Sequence, residues 1–139
     1  MEIEPKIRPL VDALNKFGLV RTFSSCEGHF NPEEQTLVDR NQAYVRFVPA
    51  DDVMADAVET FLAYVLTRFK AQYGLIPINL TAHKLYTPID DEAIDKTFVL
   101  ELRPFNRFDS PDRKRADTDR AIEQVIHIIT IYHTSRELE

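Results

Sequence analysis

Two stretches of polar and apolar alternation, Ile78 to Tyr86 and Lys96 to Arg103, follow one another in the chain, and a pattern repeating every two residues buries one side only as a strand. In the first, Ile78, Leu80 and Ala82 oppose Asn79, Thr81 and His83. In the second, Phe98, Leu100 and Leu102 oppose Thr97, Val99, Glu101 and Arg103, and Pro104 stops the run. A turn-rich linker with Pro88, Asp90 and Asp91 joins them. Two further β-prone runs come earlier: Leu19 to Ser25, and Gln42 to Val48 with Tyr44, Val45, Phe47 and Val48, closed by Pro49.

The other segments carry helical spacing. Ile7, Leu10, Val11, Leu14 and Phe17 predict a helix over about 5–17, terminated by Gly18 in a left-handed cap. Met54, Val58, Phe61, Leu62, Val65 and Phe69 form the buried stripe of a long helix that Asp51 or Asp52 caps and Gly74 and Pro77 end. Ile122, Val125, Ile129 and Tyr132, widened by Ala121, Ile126 and Ile128, mark a last helix that starts at Ser110-Pro111 or later, at Asp117 or Thr118. Strand pairs separated by a helix favour an α+β two-layer sandwich: a four-stranded, mostly antiparallel sheet with three helices on one face. Phe61, Leu62, Val65, Leu100 and Ile129 are then expected to share one core. At 44% hydrophobic and 29% charged residues the chain can close that core as a single domain over residues 1–139. No repeat of 20 to 50 residues is present in the sequence, although the two strand pairs have a similar order. The longest apolar stretch, Phe61 to Leu66, is too short to cross a bilayer, and Glu2, Glu4 and Lys6 stand where a secretory leader needs a basic start and an apolar run, so the expectation is a soluble, cytoplasmic protein without membrane partners. Cys26 is the only cysteine, which excludes an internal disulfide and a four-cysteine zinc site.

The connection between the first two strands, about sixteen residues, exceeds ordinary hairpin loops. At its start Ser24, Ser25, Cys26, Glu27, Gly28 and His29 gather two hydroxyls, a thiol, a carboxylate and an imidazole around a glycine that permits close backbone approach. A thiol becomes a good nucleophile when its pKa falls, and a neighbouring imidazole can lower it and shuttle the proton, so Cys26 and His29 are candidate catalytic residues. The same residues also suit a polar turn, with the serines satisfying backbone groups, Gly28 at positive φ and Cys26 packed as a small hydrophobe. A metal reading needs a partner from elsewhere: Cys26 and His29 have the spacing of half a tetrahedral site and His83 could complete it, but no second close pair exists, which puts this reading below the metal-free loop. His127 and His133, six apart on a helix, do not share a face and are expected to be structural or solvent-exposed.

The motif Thr22-x-Ser24-Ser25-Cys26-x-Gly28, with Asn15 before it, resembles the signature of wybutosine-synthesising tRNA methyltransferases, whose Ser-Ser-Cys-x-Gly-Arg run follows a Leu-Asn helix end. The likeness covers about residues 14–29, and His29 stands where that family has arginine. It implies S-adenosylmethionine and a tRNA substrate. Against a nucleic-acid partner stands the charge: 17 Lys and Arg against 23 Asp and Glu, a net −6, offer no general electrostatic footprint for a phosphate backbone.

Charge reverses locally where Arg103, Arg107, Arg113, Lys114 and Arg115 outnumber Asp109 and Asp112, close to the start of the last helix, and such a patch suits a phosphate or carboxylate. The alternative is a solvated loop whose cations pair with surplus carboxylates. Strand parity also places Thr81, His83, Glu101 and Arg103, with Arg46 and Tyr44, on the sheet face away from the helices, where His83 and Glu101 could exchange protons beside arginines that hold an anion. The sequence therefore points to a ligand site that could also be catalytic, for a small anionic molecule, with Cys26, His29 and His83 as reactive groups and Ser24, Ser25, Glu27, Gly28, Arg103 and Arg107 as binding groups. A non-enzymatic interaction module, its open sheet face covered by a second copy, is the competing class, and a methyltransferase-like protein is the third. No cofactor is indicated by the residues themselves.

Overall fold

The computed structural model describes residues 2–35, 40–88 and 90–137. Its elements run in the expected order: α1 (Arg8–Lys16), β1 (Val20–Cys26), β2 (Ala43–Pro49), α2 (Ala55–Tyr73), β3 (Ile78–Pro88), β4 (Ile94–Pro104) and α3 (Pro111–Glu137), with a 3-10 turn, Pro32–Glu34, inside the long β1–β2 connection. The four strands form one wholly antiparallel sheet in the order β1-β2-β4-β3. Each strand pair is thus a hairpin followed by a helix, and the second strands of the two hairpins meet at the centre of the sheet.

The three helices and one face of the sheet enclose a common core. Leu10 and Leu14 of α1, Val58, Phe61, Leu62 and Val65 of α2, and Val125 and Ile129 of α3 close on Val45, Phe47, Phe98, Leu100 and Leu102. Phe47 and Phe98, on the adjacent central strands, stack with centroids 6.0 Å apart. Burial of these rings and aliphatic chains supplies the main driving force for the two-layer arrangement.

Several element ends differ from the sequence reading, each for a local reason. Gly18 closes α1 at φ +74, as its position after the apolar stripe requires. At α2, however, neither Asp51 nor Asp52 supplies the cap: Met54 takes the N-cap position without a side-chain hydrogen bond and is 73% exposed, so it leaves the buried stripe, while Asp52 itself turns the chain at φ 65. The α3 helix begins at the earlier of the two candidate starts. The Ser110 hydroxyl accepts the Arg113 amide at 3.2 Å, and Asp117 and Thr118, the alternative caps, lie buried inside the helix. Both strands of the second hairpin outrun their alternation, pairing from Ile78↔Pro104 to Pro88↔Ile94. No helix among the described residues is long and apolar enough to cross a membrane.

Candidate functional site

The path into the loop is shaped by a bulge. The β1–β2 register shifts between Thr22 and Ser24, and the extra residue, Phe23, is turned out and 55% exposed. Before the bulge, Thr22 is clasped by the end of α1: the Asn15 amide donates to its hydroxyl at 2.8 Å and the Asn15 carbonyl accepts its backbone N–H at 3.0 Å. These two positions of the Asn…Thr-x-Ser-Ser-Cys-x-Gly motif therefore tie helix to strand. Beyond the bulge Ser24 faces Arg46 and Ser25 faces Val45 across the ladder, and both serines border a small hollow against Glu2, Ile3 and Val11.

Cys26, the last residue of β1, is a buried free thiol, and two residues on the chain turns through Gly28 at φ +92. The Phe30 ring packs so closely on Gly28 that an added Cβ would lie 2.6 Å from its Cζ. The His29 amide donates to the Arg40 carbonyl at 3.0 Å, and Gln35 bridges the same two residues, donating to the His29 carbonyl and accepting the Arg40 amide at 2.7 Å. The loop is thereby closed upon itself around His29.

The imidazole sits between two carboxylates. Its Nδ1 lies 2.7 Å from Glu34 Oε2, and its Nε2 lies 2.8 Å from an oxygen of Glu4, a residue of the segment before α1. Asn31 donates to the other Glu34 oxygen at 3.0 Å, and the Glu27 amide donates to the other Glu4 oxygen at 3.0 Å. Donation from Asn31 first, and from His29 second, holds the Glu34 carboxyl below its ordinary range. The Nδ1 edge of the ring is thus held by Glu34, itself anchored by Asn31. Glu4, Cys26 and His29 place one donor atom each within 4.8 Å of one another, and among the described residues they are the group with metal-ligand chemistry.

The basic segment is largely consumed by structure. Lys114 is buried and donates to Asn41 at 3.0 Å and to the Arg107 carbonyl. Arg113 pairs with Asp117 at 3.1 Å and Arg115 with Asp119 at 2.7 Å, while Arg115 also donates to the Gly28 carbonyl at 3.2 Å and lies over the Phe30 ring. Lys114 and Arg115 dock the loop onto α3, and the hollow beside Arg115 is lined by Glu27, Glu34 and Asp112 as well. Carboxylates at that position disfavour an anion. Arg107, exposed, stacks on Phe108 at 5.4 Å.

On the open face, His83 and Arg103 converge on Glu101, at 3.4 and 3.6 Å, and Glu101 is the least exposed of the three. Sheet register separates Glu101 from Cys26 by two strand spacings, roughly 10 Å, with Tyr44 between, and places His83 one strand further away. The sequence-derived residues thus fall into two groups, Cys26 and His29 at the loop and His83 and Arg103 on the sheet. Beside the second group a groove of about 530 Å³ crosses the face, lined by Arg21, Phe23, Arg46, Val48, Leu85, Thr87, Asp95 and Thr97. Arg46 leans on the Tyr44 ring at 5.2 Å, and among the described residues neither Arg21 nor Arg46 enters an ion pair. Of the remaining histidines, His133 stacks on Phe17 at 4.3 Å and His127 is exposed.

Glu4, Glu34 and Arg21 escaped the sequence reading. Glu4 and Glu34 reach His29 only through tertiary folding, whereas Arg21 could have been found from its register opposite Val48 once the β2 parity was known. Comparison with protein-family models, with the curated proteins and with the solved structures finds no match to this chain.

Proposed function

We propose that the protein binds a small anionic molecule with an apolar or planar body in the groove on its open sheet face. The observation that carries this reading is the pair Arg21 and Arg46: in a chain with an excess of carboxylates, where Arg103, Arg113 and Arg115 are each paired, these two have no ion-pair partner among the described residues and line one concavity. Phe23, Val48 and Leu85 line the same concavity and would cover the body of the ligand, its two arginines outnumber its one carboxylate, Asp95, and its volume lies in the range that small-molecule sites occupy. His83, one pleat step from Leu85 on the same face and paired with Glu101, is the group that could exchange a proton with such a ligand.

Binding is tested with anilinonaphthalene sulfonate as the probe, an aromatic body bearing one anionic group, followed by displacement with nucleotides and S-adenosylmethionine; the latter belongs in the panel because of the likeness over residues 14–29. A charged hydrogen bond contributes about 1.5–3 kcal/mol, so Arg21→Ala and Arg46→Ala are each expected to weaken binding by about 10- to 100-fold. Unchanged affinity in the double variant would contradict the assignment. A second reading, a second copy of the chain seated on this face, is favoured by the exposure of Phe23 and Leu85. Sedimentation decides between them: a tight dimer abolished by Phe23→Ser would replace the ligand reading.

A further inference from the structure

We propose that Glu4, Cys26 and His29 form a binding site for a thiophilic divalent transition metal, with zinc as the best-suited ion. The site shares no residue with the sheet-face groove and stands independently of it. Its three donors come from separate parts of the chain, the segment before α1, the end of β1 and the loop beyond, and folding brings their ligand atoms within 4.8 Å of one another. A tetrahedral ion with bonds of about 2.0–2.3 Å needs its donors roughly 3.3–3.8 Å apart, which modest side-chain rotations would provide. Thiolate, imidazole and carboxylate together select zinc or cobalt over magnesium or calcium.

The atoms around the three donors point the same way. Glu34 engages His29 at Nδ1, 2.7 Å away, which leaves Nε2 as the ring nitrogen that faces Glu4. That nitrogen is fully buried and 2.8 Å from Glu4 Oε2, yet the carboxylate oxygen is placed outside hydrogen-bonding direction. The other oxygen of Glu4 is already taken by the Glu27 amide at 3.0 Å, which turns Oε2 toward the histidine and the thiol. Carboxylate-to-histidine support of this kind orients a ligating imidazole and raises its basicity, and Asn31 in turn fixes the supporting Glu34. Gly28 at φ +92 lets the chain double back so that residues 26 and 29 address one point. Three protein donors are the number that leaves one tetrahedral position to water or an incoming ligand.

The test uses the full chain, stripped with a chelator and titrated with Co²⁺. The proposal expects a near-ultraviolet thiolate-to-cobalt band and intense visible bands of tetrahedral cobalt, saturating at one ion per chain and bleached by Zn²⁺. Zn²⁺ affinity is then measured by competition with a chromophoric chelator. Glu4→Gln, which keeps the acceptor for the Glu27 amide, is expected to weaken binding at least about 10-fold, Glu34→Gln by about 10- to 100-fold with the thiolate band retained, and Cys26→Ala to abolish that band. Circular dichroism checks each fold. If Cys26→Ala does not fold, the wild-type band and Glu4→Gln decide. A folded wild-type chain without the thiolate band, or equal Zn²⁺ affinity in wild type and Glu4→Gln, would overturn the proposal and leave His29 as a protonated bridge between two carboxylates.

Discussion

Gly28 concentrates the loop's constraints in one backbone position. Its φ of +92 is disfavoured for any side chain, and a Cβ would meet the Phe30 ring at 2.6 Å. Gly28→Ala is expected to destabilise the protein by about 1–3 kcal/mol, read as a lower urea midpoint; an unchanged midpoint would show that the loop relaxes freely. Glu34 gives a pH signature. Its folded pKa is depressed, so its contribution is present at neutral pH and lost as pH falls through the folded value. The melting-temperature gap between wild type and Glu34→Gln should therefore be present at pH 7 and shrink below the ordinary carboxylate range, and a gap independent of pH would contradict the pairing. At this scale the sequence was informative where residues are neighbours, as with Cys26 and His29, or share strand parity, as with His83 and Glu101. It was silent on Glu4, which lies 25 residues from His29 in a segment without periodicity and meets it only because α1 returns the chain alongside β1.

Periodicity made the elements legible wherever one side faces the core. Leu100, fully buried on a central strand, exemplifies this: Leu100→Ala is expected to cost about 2–5 kcal/mol by chemical denaturation, and a loss below about 1 kcal/mol would mean the assigned core is loose. The start of α3 was ambiguous because Pro111 to Arg120 contains almost no apolar residue. Its burial depends on polar partners brought from elsewhere, Asn41 for Lys114 and the Gly28 carbonyl for Arg115, which no local pattern discloses. Ser110→Ala, removing the cap on the Arg113 amide, is expected to lower stability by about 0.5–2 kcal/mol. The unassisted start of α2 at Met54 is the converse case: the aspartates that resemble caps are spent on the turn before it.

For the molecule as a whole, charge distribution separates two kinds of partner. With a net −6 and most cations of the 103–115 segment already paired or buried, strong salt-dependent binding of tRNA is not expected despite the likeness over residues 14–29. A mobility-shift titration with unmodified tRNA checks this, and submicromolar binding that weakens with salt and disappears when Arg113, Lys114 and Arg115 are changed to Ala would favour the methyltransferase reading instead. A small anion needs only a local pair of cations, which Arg21 and Arg46 provide across the groove. The most direct measurement is therefore equilibrium titration of anilinonaphthalene sulfonate into the native chain and into the Arg21→Ala, Arg46→Ala double variant, whose substitutions lie at exposed positions. Saturable wild-type binding that weakens with salt and falls at least about 100-fold in the folded double variant is the expected result; equal affinity in both chains, or no binding to the wild type by the probe or any of its competitors, would contradict the sheet-face site.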